Sequence, residues 1–474
     1  MPADADLLAP PRLADPLGGL LLRPEDLGSP EFRRDHRIRY AYVAGSMYKG
    51  VSSVELVVRM GRAGLLGYFG TGGLRPERVD AAIGTIQQAL GPDRPYGFNL
   101  LASMDQPRRE EQTVDLLLAR GVRRVEAAAF VQVSPALVRY RVSGLRRGPD
   151  GAVRVANRVL AKVSRADVAE AFLRPPPEPV LDAVRAAGGV TAEEAELGLR
   201  VRMADDVCAE ADSGGHTDQR PLVALLPDMV RQRDRAVGLP GAPVRVGVAG
   251  GIGTPEAVAA AFVLGADFVV TGSINQCTVE AGTSAAAKDM LQRAAVHDTA
   301  IVPAGDMLEI GARAQVLKRG LFFPARANKL YDIYRHCGSL EEIDQHTAEQ
   351  IQQRYFRRSF DDIWAETREY YQATDPAEID RAERDPKRKM ALVFKWYFVH
   401  STRLAMSGRP EQRVDYQIAC GPAMGALNSL LAGTPRQDWR QRHVDDLAEL
   451  LMTGAAEVLQ RRLREVAGRA GAWR

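Results

Sequence analysis

The 474-residue sequence is 46% hydrophobic and 26% charged with a formal net charge of +3, which supplies ample material for a core and too little imbalance to imply a nucleic-acid partner. No apolar run reaches the length of a membrane span and no basic segment precedes Leu7-Leu8, so a cytoplasmic protein without a membrane anchor or leader is expected. The four cysteines, Cys208, Cys277, Cys337 and Cys420, have no CxxC spacing, which argues against a zinc site and against a disulfide framework.

Residues 1–36 are rich in Pro, Leu and charge without a sustained period, and read as an arm packed on the outside of the next domain. From Tyr40 short apolar runs alternate with helical stretches, at 40–44, 65–69, 96–101, 124–130, 159–163, 206–211, 245–249 and 268–271. Strand–helix alternation implies parallel strands joined by helical crossovers, and eight units favour an α/β fold closed as a (β/α)8 TIM barrel; an open doubly wound sheet is the alternative. Ala44-Gly45-Ser46 ends the first run, a helix over 53–63 closes at Gly64, and Gly70-Thr71-Gly72-Gly73 follows the second run. The insertion 139–157 reads as a surface hairpin, and Pro175-Pro176-Pro177 with Pro179 as a rigid loop before a short helix. After Ser273 the alternation stops. Residues 284–372 read as helices with charged faces, Ser339-Leu340-Glu341-Glu342 as a capping box opening a long one, and 375–389 as a charged linker. The remainder reads as three or four helices, the last with Leu447, Leu450, Leu451, Ala455, Val458, Leu459 and Leu463 at helical spacing.

The stretch RVGVAGGIGTPEAVAAAFVLGADFVVTGS, from Arg245 to Ser273, carries the most chemistry. It holds two consecutive strands, each ending in glycine, at Gly250-Gly251 and at Gly272-Ser273. Exposed backbone N–H groups at two such turns can hold one phosphate between them, the arrangement found after strands 7 and 8 of a barrel. Ordinary turn glycines and a Rossmann turn built on Gly247, Gly250 and Gly253 compete with this reading, and the second Gly-Ser turn argues against the Rossmann form. Asn99, near the end of the third run, is either a satisfied core residue or a reader of a flavin's pyrimidine edge. Lys162, inside the apolar VLAKVSR, needs an anion or must release its proton, and suits the charge that a flavin gains around N1 and O2; snorkelling to the barrel mouth is the alternative. Asp212-Ser213-Gly214-Gly215-His216-Thr217 follows the sixth run, with glycines that admit a flat ligand and a histidine able to donate a proton or orient a carbonyl. Glu210 faces either the barrel or a crossover helix. Cys208 and Cys277 raise a covalent NAD-dependent dehydrogenase of the inosine-monophosphate type, although Cys277 comes late for that chemistry and Cys208 reads as a small buried hydrophobe.

AGSMYKGVSSVELVVRMGRAGLLGYFGTGGL, PYGFNLL, VLAKVSR and EADSGGHTD together resemble the flavin-mononucleotide barrels of the 2-nitropropane dioxygenase (nitronate monooxygenase) superfamily. GGIGTPEAVAAAFVLGADFVVTGSINQCTVEAGTS and PAGDMLEIGARAQVLKRGLFFPARANKLYDIY narrow the resemblance to the PfaD family, the trans-acting enoyl reductases of polyunsaturated-fatty-acid and polyketide assembly lines. The resemblance implies that NADPH reduces bound FMN, which delivers hydride to the β-carbon of an enoyl thioester on an acyl carrier protein. It further implies that Gly250, Gly251, Gly272 and Ser273 hold the phosphate and that Ala44, Gly45, Ser46, Asn99 and Lys162 hold the ring, with Gly214 and Gly215 close to it. His216 matches a catalytic or substrate-orienting histidine, alongside Lys162. The expected division is an arm at 1–36, an FMN barrel at 37–300, and a helical cap at 301–474 that covers the mouth and docks the carrier through Lys318, Arg319, Arg326, Lys329 and Arg335. No nucleic acid or membrane is expected as partner, and a homo-oligomer remains open. The alternatives are an oxidase acting on a small nitronate-like molecule and a non-catalytic assembly-line scaffold.

Overall fold

The computed structural model describes residues 21–102 and 107–471, so the first twenty residues of the expected arm and the last three of the expected cap lie outside the described residues. Eight parallel strands, β1 (Tyr42–Ala44), β2 (Leu66–Phe69), β3 (Gly97–Leu101), β4 (Arg124–Ala128), β5 (Arg158–Val163), β6 (Asp206–Glu210), β7 (Arg245–Ala249) and β8 (Val269–Thr271), form a closed barrel in that order. β8 returns to β1 with Tyr42 opposite Val269, which completes the ring. Each of the eight apolar runs coincides with one of these strands, β5 beginning one residue before its run, as the TIM-barrel reading requires. Strands buried on both faces read as nearly continuous apolar runs. One face packs on the helices through Val125, Val159, Val207 and Val246. The other fills the barrel with Val43, Leu66, Tyr68, Leu160, Cys208 and Val270.

Local signals place the crossovers. Ser53 caps the helix Val54–Arg62 by accepting the Leu56 N–H at 3.1 Å, and Thr254 does the same for Pro255–Val263 through the Ala257 N–H at 3.3 Å. The insertion is shared between two elements: the helix Pro135–Val142 takes its first residues, and only Arg146–Arg147 and Val153–Arg154 pair as a hairpin.

Four expectations are corrected. The segment before residue 37 is more than an outer arm, because its helix Pro30–His36 closes the barrel floor, with Phe32 fully buried and stacked on Phe268 at 4.2 Å. Residues 284–372 are not all helical: Thr299–Pro303 and Arg313–Leu317 form an antiparallel pair, extended by Gly215–His216 from the loop after β6. Their buried residues, Val302, Ala314 and Val316 among them, fall in runs too short to carry a helical or a strand period. Glu342 turns back to the Gly338 N–H, so the expected box forms a turn, and the next helix starts after Asp344, which caps Thr347. The charged linker is helical, as Pro376–Arg384 and the start of Pro386–Ser407. Its charges neutralise one another around Glu378, which is buried and bound by Arg381 at 3.0 Å and Arg388 at 2.8 Å.

The long helix Pro386–Ser407 places Met390, Phe394, Tyr397 and Phe398 in a second core with Phe323, Leu330 and Phe356. The last helix, Val444–Gly471, returns to the barrel, where Leu447, Leu451 and Ala455 join the main core and Gly454 lies against Pro255. Its expected apolar stripe ends before Leu463, which is exposed. No helix among the described residues is long and apolar enough to cross a membrane.

Candidate active site

The carboxyl ends of the eight strands gather the candidate residues on one rim. At β1, the Gly45 N–H donates to the Thr271 carbonyl at 2.9 Å, tying the first turn to the last strand. The Ser46 N–H instead donates to Glu126 Oε2 at 2.7 Å. Asn99 is buried in β3, and its Nδ2 donates to the Glu126 carbonyl at 3.0 Å, so one amide edge serves the β3–β4 frame. Thr71, from the turn after β2, donates to the Asn99 carbonyl at 2.9 Å.

Lys162 sits on β5 with Nζ 2.8 Å from Glu210 Oε1 and 3.8 Å from Glu126 Oε1. Glu210 therefore faces the barrel, not a crossover helix. Burial opposes the lysine charge, but the two carboxylates outweigh it and hold the ammonium above its ordinary range. Burial pushes the Glu126 carboxyl up, against the pull of Lys162 and the Ser46 N–H. Glu126 was not singled out from the sequence. A lone carboxylate in RVEAAAF is the available signal, and the barrel supplies its partners from positions remote along the chain.

The loop after β6 is pinned from two sides. Thr217 Oγ1 donates to Asp212 Oδ1 at 3.1 Å, and Gly215–His216 pairs with the strand Arg313–Leu317. His216 Nε2 lies 2.9 Å from Asp306 Oδ1, and its side chain remains 56% exposed at the mouth. Burial of the ring lowers its proton affinity, but Asp306 outweighs this and the imidazole is held above its ordinary value.

The two glycine turns meet at the same rim. Gly250 has φ +93°, and a Cβ there would stand 2.7 Å from the Ala211 carbonyl, so this position requires glycine. Gly251 and Gly272 each face open space where a side chain would be. Ser273 Oγ accepts the Gly421 N–H at 3.0 Å, and a Cβ on Gly214 would meet both Ser273 Oγ at 2.7 Å and Gly421 N at 2.8 Å. The loop after β6, the β8 turn and residue 421 are thus one packed junction, with helix Ala423–Leu431 beginning beside it. Ser213 Oγ is buried without a partner among the described residues. Backbone turns opening on free space beside an unused hydroxyl fit a phosphate ester, the anchoring group of FMN. Gly421 and Asp306 were not found by sequence reasoning, since neither lies near a barrel strand in the chain.

The cysteines are placed against covalent chemistry. Cys208 is fully buried inside the barrel, and burial pushes its thiol far up. Cys277 is also fully buried, and burial pushes it to about 12 despite Arg442 nearby. Among the basic candidates, Lys318, Arg319, Lys329 and Arg335 are exposed. Arg326 is drawn inward, paired with Asp415 and packed over Tyr355.

Residues 31–327 match the nitronate monooxygenase family, and residues 337–416 match the inserted helical domain of acyl-carrier-protein S-malonyltransferase. The chain is 50% identical over 444 residues to polyketide biosynthesis protein PksE of Bacillus subtilis, covering 93% of this chain and 58% of PksE. It is 49% identical over 449 residues to polyketide biosynthesis protein ThaF of Burkholderia thailandensis, covering 94% of this chain and 38% of ThaF. The chain thus spans little more than half of the first relative and well under half of the second. The crystal structure of the enoyl reductase domain of MlnA, from the macrolactin biosynthesis cluster of Bacillus amyloliquefaciens, superposes with a TM-score of 0.89 at 43% identity, covering 93% of this chain and 99% of that one. The closed barrel, its appended helices and these likenesses agree: the chain belongs to the nitronate monooxygenase family and, within it, to the PfaD-like enoyl reductase group.

Proposed function

We propose that the protein is an FMN-dependent enoyl reductase that uses NADPH to reduce α,β-unsaturated thioesters carried by an acyl carrier protein and acts in trans. The observation that carries this reading is the meeting, on one rim, of two phosphate-type turns and a buried lysine. Bound FMN supplies a two-electron carrier between NADPH and the β-carbon of the enoyl group. Gly250, Gly251, Gly272 and Ser273 hold its phosphate, with Gly214 and Gly215 packed alongside. Ala44, Gly45, Ser46 and Asn99 line the ring, and Lys162, in its pair with Glu210, places its ammonium at the ring's edge. His216, whose proton affinity Asp306 raises, donates the proton to the α-carbon or binds the thioester oxygen. The region from 301 through the helix Pro386–Ser407 acts as the cap, with Lys318, Arg319, Lys329 and Arg335 as the basic face toward an acidic carrier.

Anaerobic stopped-flow spectroscopy tests the reading. Flavin absorbance should bleach with NADPH and return on adding crotonyl-loaded carrier protein, with saturated thioester formed. Return only on admitting oxygen, even with longer acyl chains, identifies instead a nitronate-type oxidase, the reading favoured by the family match over residues 31–327. A protein that takes up no FMN is a scaffold.

A further inference from the structure

The rim cluster contains one more carboxylate than its lysine balances. Lys162 is committed to Glu210 at 2.8 Å, which leaves Glu126 at 3.8 Å as the second, excess negative group. The two oxygens of Glu126 differ in circumstance. Oε2 accepts the Ser46 N–H at 2.7 Å, whereas Oε1 is fully buried and has no hydrogen-bond partner among the described residues. A Cβ on Gly45 would stand 3.3 Å from Oε1, so the glycine turn after β1 lies directly over it. The groups facing Glu126 are Lys162 on β5, Glu210 and Cys208 on β6, and Tyr68 on β2, with the amide of Asn99 on β3 bonded to its backbone. Tyr68 and Cys208 are buried and neutral, so Lys162 is the positive charge among them.

Resting on the flavin reading above, we propose that Glu126 balances the charge of flavin reduction: its Oε1 takes up one solvent proton when bound FMN receives two electrons, and releases it on reoxidation. Hydride transfer from NADPH leaves NADP+ and adds one negative charge to the flavin. With Lys162 already neutralised by Glu210, that charge would join an ionised Glu126 in a water-poor site, where like charges raise each other's proton affinity. Protonation at Oε1 removes the second charge. Oε2 keeps the Ser46 N–H, so the turn after β1 need not move. Glu126 is a positioning residue for charge: it sets the flavin potential without supplying the proton that reaches substrate.

The test is the pH dependence of the flavin midpoint potential in the full chain reconstituted with FMN, over about pH 6–9, between the ordinary carboxylate and tyrosine ranges. Each proton taken up with the two electrons shifts the equilibrium tenfold per pH unit, about 30 mV for a two-electron couple. The wild type should show a two-proton slope of about 60 mV per pH unit, and Glu126→Gln, which keeps an acceptor for Ser46, about 30 mV. A one-proton slope in the wild type, or an unchanged two-proton slope in the variant, overturns the proposal. Should the variant fail to fold, a reduced-minus-oxidised infrared difference spectrum of the wild type decides: a protonated-carboxyl C=O band gained on reduction supports Glu126, and its absence overturns it. Failure to bind FMN at all removes the flavin reading itself, a result distinct from FMN binding with a one-proton slope.

Discussion

One strand, β6, supplies charge to both ends of the barrel interior, and the two ends treat it differently. Asp206 and Glu210 lie on the same face of the strand, with Cys208 between them. At the floor, Asp206 commits both oxygens, Oδ2 to His36 Nε2 at 2.6 Å and Oδ1 to Arg245 Nε at 2.6 Å, and Asp35 binds the far side of Arg245 at 2.8 Å. Burial opposes ionisation of Asp206, but these partners hold its carboxyl below the ordinary range, while burial keeps His36 neutral as a donor. At the rim, Glu210 is paired with Lys162 at 2.8 Å, and beside that pair Glu126, from β4, has only one oxygen satisfied. Both oxygens of the floor carboxylate are filled, and one oxygen of the rim carboxylate is open. A buried carboxylate oxygen left open beside other charged groups at a barrel rim is a candidate for chemistry.

The contrast can be broken at either end. The largest effect is expected at the floor: Asp206→Asn leaves Arg245 buried beside a neutral amide, and should cost about 3–5 kcal/mol in urea unfolding while the surviving folded protein retains its FMN. Lys162→Met should do the reverse, slowing flavin reduction about 100–1,000-fold in stopped-flow. Its loss of stability should be smaller than that of Asp206→Asn, because Glu210 is partly exposed and water can reach it. Gly250→Ala forces a Cβ against Ala211 at φ +93°, a strain of about 1–3 kcal/mol that should weaken FMN binding about tenfold or more in a fluorescence titration. The smallest effect belongs to the mouth. The folded-state proton affinity of His216 is raised, so its pair with Asp306 stabilises below the unfolded value of about 6.5 and is lost as pH rises through the folded value. His216→Gln should therefore lower stability by about 0.2–1 kcal/mol in mild acid, as solvated pairs do, with the difference vanishing in mild alkali. A difference that grew with pH would place the stabilising charge elsewhere.

The barrel was legible because its signals are local. Apolar runs ending in glycine, and caps such as Ser53 and Thr254, act within a few residues of themselves. The turns at Gly250 and Gly272, Lys162 and the His216 loop could be picked out for the same reason, and the barrel does bring them to one rim. What escaped is what only closure creates. Glu126 becomes notable when β4 lies beside β5 and its Oε1 comes to face Lys162. Asp306 acquires its partner when the strand Arg313–Leu317 pairs with Gly215–His216, nearly a hundred positions away. The charged segment 375–389 misled in the opposite sense: its charge density suggested solvent, yet Glu378 is buried because two arginines on helical turns close over it.

The contact between Gly421 and Ser273 also sets an order in time. A chain made from its N-terminus has produced all eight barrel strands by Thr271, but the backbone that packs on the β8 turn lies 148 positions after Ser273. At about 5–20 residues per second, the nascent barrel waits roughly 7–30 s for that segment. During that interval Ser273 and Gly214 stand without the backbone that later packs on them.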